Sequence, residues 1–312
     1  MDLRYKIVVN PTSGAGNGAK LMPVVSEWLK NNKIDFDMQA TEYPWHAAKI
    51  TQEAVEQGFD VIVSMGGDGT ANEVINGILL SQKIGLPAVK MGIIPVGRGN
   101  DFAFSMKMPL TYQEGCEALV NPSMKKIDIG YVKGGLYPDG RYFGNGIGIG
   151  FDAVVGFQAV KYKKLGGFPS YIFGVLETIF LYFKGPRLRL VMDQETLEVN
   201  PLMVSIMNGI RMGGGFMMAP DSKQDDGKFD ICLVNELSRI ATILLVPKFF
   251  SGKQGEHPAV TFYHPSRISV STLKGSIPAH ADGETLCTKG DALEIELLPQ
   301  ALEILYLEAP AA

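Results

Sequence analysis

Two adjacent glycines, a carboxylate, a third glycine and a hydroxyl, Gly66-Gly67-Asp68-Gly69-Thr70, stand directly after the apolar run Val61 to Met65 and ahead of a segment with helical periodicity. Glycines at the carboxyl end of a strand let backbone N–H groups approach phosphate oxygens, and the positive end of the following helix adds to the attraction. The chemistry implied is phosphate binding. A carboxylate in such a cradle repels phosphate unless a cation lies between them. Asp68 is therefore read as reaching Mg2+, directly or through water, and Thr70 as donating to phosphate or capping the helix. Taken alone, the same residues also suit a tight strand-to-helix turn.

Two further loops have the same placement. Asn10-Pro11-Thr12-Ser13-Gly14 follows the apolar run Tyr5 to Val9, where Pro11 bars the strand from continuing and Asn10, Thr12 and Ser13 supply short donors and acceptors. Pro95-Val96-Gly97-Arg98-Gly99-Asn100-Asp101 closes another apolar run with two glycines and an amide-carboxylate pair. Three such loops at the carboxyl ends of parallel strands converge on one crevice, the place where open α/β sheets bind ligands.

The elements that must hold these loops alternate from Arg4 to about Asp128. Strands are expected at Tyr5 to Val9, Ile34 to Ala40, Val61 to Met65 and Met91 to Pro95, and helices near Lys20 to Lys30, His46 to Gln57 and Ala71 to Leu80. That rhythm belongs to an α/β domain with a largely parallel sheet. In the third helix Val74, Ile75, Ile78 and Leu79 are expected to pack on the sheet, with Asn72, Glu73 and Asn76 facing outward. After Lys126 the pattern changes to short strands with Gly and Pro punctuation, at Arg141 to Gly150, Arg187 to Met192, Leu202 to Met207 and Phe229 to Val234, which reads as an antiparallel β domain. Helices around Tyr171 to Phe183 and Ile240 to Phe249 interrupt it. The expected division is an ATP-binding α/β domain over 1–128, a β-sandwich over 129–295 and a C-terminal segment, 296–312, returning to the first domain. The cleft between the domains is the expected site.

At 312 residues the chain is long enough for two domains. Its 46% hydrophobic and 20% charged residues are those of a folded protein, and a net charge of -4 argues against nucleic-acid binding. Cys116, Cys232 and Cys287 are too far apart for a Cys-x-x-Cys site and are expected to be small buried residues of a protein in a reducing compartment. Asp2, Arg4 and Lys6 precede any apolar run, so no signal peptide is expected at the start. Neither long apolar stretch reaches the ~20 residues of a spanning helix. A cytoplasmic protein, peripheral at the inner membrane surface, is the expectation.

Together, Asn10-Pro-x-Ser-Gly14, Gly66-Gly-Asp-Gly-Thr70-x-Asn-Glu73 and Pro95-x-Gly-x-Gly-Asn-Asp101 resemble the catalytic domain shared by diacylglycerol kinases, bacterial lipid kinases, sphingosine kinases and ceramide kinases. The resemblance runs on in family order through Gly213-Gly214-Gly215-Phe216, Ala219-Pro220-Asp221, Asp225-Asp226-Gly227 and Asp282-Gly283-Glu284. It implies a nucleotide-binding domain joined to a β-sandwich, with ATP and Mg2+ as cofactors and a lipid alcohol, diacylglycerol first, as the acceptor. Residue by residue it carries ATP contacts to Asn10, Pro11, Thr12, Ser13, Gly14, Thr41, Gly66, Gly67, Asp68, Gly69, Thr70, Ala71 and Asn72. The third loop adds Gly97, Arg98, Asn100 and Asp101. It makes Glu284 the base that takes the hydroxyl proton, with Asp282 beside it and Asp68 at the metal. Asp226, with the backbone carbonyls of Lys223 and Lys228, matches the family's metal-binding turn. Arg98 departs from the Ser or Thr of many relatives and either supplies a cation at a phosphate or crowds the site. Ala15 stands where some relatives have Lys.

The basic run Lys161, Lys163 and Lys164 with Tyr162, near Phe168, suits either transient contact with an anionic membrane surface or a solvated face, and a homodimer is left open. Met217 and Met218 beside Phe216 suit an acyl-chain wall or a core, and His280 a support for the loop at Asp282. Two rival readings remain at this point. One is a kinase of a soluble acceptor such as NAD or a sugar phosphate, against which the β-rich second half and Asp282-Gly283-Glu284 weigh. The other is a nucleotide-binding regulator without catalysis, against which Asp68 and Glu284 weigh.

Overall fold

Strand β1 (Arg4–Val9) is buried from Tyr5 to Val9 and pairs in parallel with β2 (Asp35–Ala40) on one side and β3 (Val61–Gly66) on the other. β3 in turn pairs in parallel with β4 (Lys90–Pro95), giving the order β2-β1-β3-β4. Apolar, β-branched runs such as Val61-Ile62-Val63 are what strands need when helices cover both faces of their sheet. The covering helices are α1 (Ser13–Asn31), α2 (His46–Glu56), α3 (Asp68–Lys83), the single turn α4 (Asp101–Ser105) and α5 (Tyr112–Val120). The computed structural model describes residues 3–159, 161–162, 167–181 and 185–308. It falls into two compact units, Met1–Ile127 with Gln300–Ala312, and Asp128–Pro299.

The expected strands and helices of the first unit are present with small shifts at their ends. One expectation is overturned: Asn72 and Asn76, placed outward for their polarity, are 1% and 2% exposed. α3 packs against both β3 and α2, so polar side chains on its covered faces need internal partners. Asn76 Nδ2 donates to the Asn72 carbonyl at 2.9 Å and to Asn72 Oδ1 at 3.2 Å. Glu73, half-buried, accepts from the Ala47 N–H at 2.9 Å and so serves the first turn of α2.

The remaining elements are β5 (Ser123–Gly134), β6 (Tyr137–Phe143), β7 (Gly146–Gly150), α6 (Phe151–Ala159), α7 (Gly167–Leu181), β8 (Arg187–Met192), β9 (Glu195–Val199), β10 (Pro201–Met207), β11 (Asp230–Asn235), α8 (Arg239–Ser251), β12 (Val260–Tyr263), β13 (Arg267–Lys274), β14 (Ile277–Ala281), β15 (Glu284–Gly290) and β16 (Ala292–Tyr306). In the second unit β16 pairs antiparallel with β13, β13 with β8 and β8 with β9. A second sheet has the order β12-β11-β10-β7-β14-β15, antiparallel throughout. Leu188, Leu190, Ile268, Val270, Leu293 and Ile295 from the former meet Ile147, Val204, Ile206, Ile231, Ala279 and Leu286 from the latter in one core, a β-sandwich. The outer face of the second sheet is covered by α6, α7 and α8.

The stretch Arg141 to Gly150, expected as one strand, is two: β6 ends at Phe143 and β7 begins at Gly146. The three cysteines are buried and free, and burial pushes the thiols of Cys116 up to about 11 and Cys232 up to about 12. Lys163 and Lys164 lie outside the described residues, as do Tyr182 and Phe183. Among the described residues no helix is long and apolar enough to cross a membrane.

Candidate functional site

The three loops of the first unit meet because glycines let their backbones touch. The Val96 and Gly97 N–H groups both donate to the Gly66 carbonyl, at 2.9 and 3.1 Å. A Cβ on Gly97 would lie 2.5 Å from Gly67 Cα and 2.5 Å from Asn100 Oδ1, and one on Gly14 would strike the Val96 carbonyl. Gly14 also has φ 59°, within a run of left-handed residues, Gly14, Ala15 and Gly16, before regular helix begins. Side chains complete the lock. Asn10 Nδ2 donates to Thr70 Oγ1 at 3.1 Å, while Asn10 Oδ1 accepts from the Thr12 N–H at 3.1 Å and the Thr12 hydroxyl at 2.9 Å. Thr41 sits at the end of β2, its N–H on the Val9 carbonyl at 2.8 Å. The nucleotide-contact candidates Asn10 to Gly14, Thr41, Gly66 to Thr70, Gly97 and Asn100 therefore lie at the carboxyl edge of one sheet. Ala71 and Asn72 are buried in α3, and Arg98 is exposed.

Gly69 is different from its neighbours. It has nothing within 4 Å of an added Cβ, so its small size leaves open space at the start of α3. Gly69 lies in the first turn of α3, and the first N–H groups of a helix together with its dipole attract anions to that end. Asp68 Oδ1 accepts from the Phe102 N–H at 2.9 Å and so ties α3 to α4. A Cβ on Gly99 would lie 3.0 Å from Asp68 Oδ2 and 3.6 Å from Asp101 Oδ2, so two carboxylates face one glycine.

In the second unit Asp282 and Gly283, with φ 47° and 83°, form the two-residue turn between β14 and β15, whose flanking pair is Ala281 and Glu284. Positive φ at both central residues is what a tight antiparallel hairpin requires. The Asp282 carboxylate accepts from three successive backbone N–H groups, Gly144 at 2.7 Å, Asn145 at 3.0 Å and Gly146 at 2.9 Å. This explains the break between β6 and β7: the chain turns there to present those donors. Asp282, expected beside the base, thus holds the turn, and Glu284, the next side chain on, is exposed.

Asp226 is exposed too, and its Oδ1 accepts from the Lys228 N–H at 3.0 Å. Beneath that turn is Asp128, a buried carboxylate with no place in the sequence motifs, whose Oδ2 accepts from the Gly227 N–H at 2.7 Å. Asn208 joins this turn to the acid turn, its Nδ2 donating to the carbonyls of Asp128 and Gly144 at 2.8 Å each. Asp230 pairs with His264 Nδ1 at 2.9 Å. Burial pushes the Asp230 carboxyl above its ordinary value, with the charge of Asp226 adding to the rise. His280 is buried 3.8 Å from Asp152, which accepts from the Ser205 hydroxyl at 2.9 Å. Only a glycine at 148 leaves room for them, since a Cβ there would be 2.5 Å from Asp152 and 2.6 Å from His280. A carboxylate thus sits opposite the expected loop support.

Among the described residues no three His, Cys, Asp or Glu side chains stand close enough to enclose a metal unaided. Mg2+ ordinarily takes one or two carboxylates and completes its octahedron with waters and substrate phosphates. The carboxylate pair at Gly99 fits that pattern, and so does a turn carrying Asp226 with backbone carbonyls.

Residues 4–132 match the diacylglycerol kinase catalytic domain, and residues 145–306 match the YegS C-terminal NAD kinase beta sandwich-like domain. A diacylglycerol kinase of Staphylococcus saprophyticus is 30% identical over 288 residues, covering 91% of this chain and 90% of that protein. One from Staphylococcus aureus is 29% identical, over 91% of this chain and 87% of its own. The crystal structure of a diacylglycerol kinase from Bacillus anthracis superposes with a TM-score of 0.73 at 22% identity, covering 99% of this chain and 98% of that one. Another structure from that organism gives 0.79 at 24% identity, over 99% of each chain. The two-domain fold, an α/β unit followed by a β-sandwich, is common to them.

Proposed function

The chain belongs to the diacylglycerol kinase family and is a lipid kinase, and on that premise we propose that it carries the γ-phosphate of ATP to the free hydroxyl of diacylglycerol in a Mg2+-dependent reaction, giving phosphatidic acid and ADP. The observation that carries this reading is the lock of Gly14 on Val96 and Gly67 on Gly97, which leaves backbone donors and the open space at Gly69 at one sheet edge. The acceptor is suggested by the name of the relatives. In this reading the lipid oxygen attacks the γ-phosphorus, the bond from that phosphorus to the β-γ bridging oxygen breaks, and ADP leaves with the electron pair.

The protein's part is positioning and charge control. Asn10 to Gly14, Gly66 to Thr70 and Gly97 to Asp101 hold the phosphates. Asp68 and Asp101 are the residues that would hold Mg2+ at the nucleotide, where it would neutralise phosphate charge. A second ion would rest on Asp226 and the Lys223 and Lys228 carbonyls. Glu284 takes the hydroxyl proton, and Asp282 keeps it in place through the 144–146 backbone. The test is labelled ATP offered with a panel of lipid alcohols, with and without Mg2+, beside a no-lipid control. Label in phosphatidic acid only when diacylglycerol and Mg2+ are both present is the expected result. Preferential labelling of a sphingoid base or of NAD would overturn the acceptor.

A further inference from the structure

We infer that the outer faces of α7 and α8 form a docking surface for a lipid bilayer with anionic headgroups, an inference that rests on the reading of the acceptor as a lipid. Each helix already commits one apolar face to the core, through Val175 and Ile179 of α7 and Leu245 and Phe249 of α8. A surface helix is ordinarily polar opposite that face. These two are apolar there as well. On α8 Ile240 is 72% and Leu244 70% exposed, and Ile243 and Pro247 are exposed beside them, an i, i+3, i+4, i+7 stripe. On α7 Phe180 is 66% and Leu181 62% exposed, continuing a line from Phe173 and Leu176.

Single exposed apolar side chains are normal, but a contiguous patch marks an interaction surface. Of the fifteen exposed large apolar residues described, seven fall on these two helices. The stripes adjoin, since the Arg239 guanidinium at the start of α8 donates to the Phe180 carbonyl near the end of α7 at 3.2 Å.

Charge selects the occupant. α8 carries Arg239 and Lys248 and no acidic residue, and Lys248 is held by Glu256, beyond the helix, at 2.8 Å. The one carboxylate of α7, Glu177, is held by Lys161 at 2.8 Å and by the Tyr162 hydroxyl at 3.2 Å. Three cations, Arg239, Lys248 and Lys161, thus stand against two carboxylates, Glu177 and Glu256, each held by a lysine, and anionic headgroups complement the positive balance of such a face. At 15 and 13 residues the helices fall short of the ~20 needed to cross, so they lie in the interface with their stripes among the acyl chains. The acceptor of a lipid kinase is held in that same layer.

The test is co-sedimentation of the full chain with vesicles of phosphatidylcholine and phosphatidylglycerol, and of phosphatidylcholine alone. Leu244→Glu and Phe180→Glu, with Leu244→Gln as a milder variant and melting temperature as the folding control, should each weaken vesicle affinity roughly tenfold to a hundredfold. Phosphorylation of bilayer-embedded acceptor should fall with it, while that of a short-chain diacylglycerol dispersed as monomers stays at the wild-type rate. Wild-type affinity in the glutamate variants, or no sedimentation of the wild type, would overturn the inference. Loss of a dimer at unchanged vesicle affinity would also overturn it, assigning the face to a second copy. Failure of the acceptor reading would show separately, as no phosphorylation of the short-chain acceptor by a wild type that still binds vesicles.

Discussion

In the first unit the phosphate-facing loops owe their shape to missing side chains, Gly14 against Val96 and Gly67 against Gly97, and each loop directly follows the strand that carries it. In the second unit the acid turn and the Asp226 turn owe their shape to carboxylates bonded to backbone far away in sequence, Asp282 to residues 144–146 and Asp128 to Gly227. The first device sets backbone on backbone, with the Asn10, Thr12, Thr70 and Asp68 side chains bonding between and within the loops. The second consumes carboxylates in holding the chain. Acidic residues of one motif can therefore have opposite duties, and the two units should respond differently when a carboxylate is removed.

The largest effect expected is from Asp68→Ala, which should abolish turnover because it removes a carboxylate that would hold the Mg2+ offsetting the phosphate charge. Its unfolding free energy should fall by roughly what the hydrogen bond accepted from the Phe102 N–H is worth, about 1 kcal/mol, with the fold retained. Turnover at the wild-type level would break the comparison at its first term. Glu284→Gln comes next. It keeps size and hydrogen bonding but cannot take a proton, so kcat should fall by roughly 10² to 10⁴ with ATP affinity almost unchanged. Lost ATP affinity with kcat preserved would make Glu284 a nucleotide or metal contact instead.

Asp282→Asn sharpens the contrast. An amide cannot accept from three N–H donors with two charged oxygens, so unfolding should become easier by roughly 2 to 4 kcal/mol, read by denaturant titration. The same titration on Asp68→Ala should show a smaller loss. Full stability with lost kcat in Asp282→Asn would mean that Asp282 belongs to the chemistry and not to the scaffold.

What the sequence made legible follows the same division. The parallel strands and all three glycine loops could be read because motif, strand and helix are adjacent in the chain. Asn72 and Asn76 were misplaced because polarity signals exposure only where side chains cannot satisfy each other inside, and these two do. α4 is a single turn without periodicity. α5 could have been found, since Thr111 and Glu114 have the spacing of a capping box and form one, with the Glu114 N–H on Thr111 Oγ1 at 3.2 Å. The break at Gly144 and Asn145, and the roles of Asp128 and Asn208, had no local signal. They arise from pairings across 64 to 138 residues that only the folded sandwich creates.

The smallest effect expected, and the finest test of the contrast, lies at the Asp226 turn. Asp226 is exposed and, among the described residues, bonds within its own turn, so unlike Asp282 it can serve an ion while the fold stands on Asp128. An ion bound by the folded state alone stabilises it by RT ln(1 + [L]/Kd), about 1.4 kcal/mol at tenfold excess over Kd. Asp226→Ala should melt close to wild type without Mg2+ and lack most of the rise that Mg2+ gives the wild type. The pH dependence carries a second sign. Burial, and then the charge of Asp226, hold the Asp230 carboxyl above its ordinary value of 3.8, so the folded state binds that proton more tightly than the unfolded state. Its ionisation therefore costs stability as pH rises from about 3.8 through the folded value, the reverse of a salt-bridged Asp. Removing Asp226 takes away one cause of the rise, so the loss over that window should be shallower in Asp226→Ala than in wild type when both are melted without Mg2+. An equal Mg2+ shift in the two proteins would mean that the turn holds no metal, and an equal pH slope would mean that Asp226 and Asp230 do not feel each other's charge.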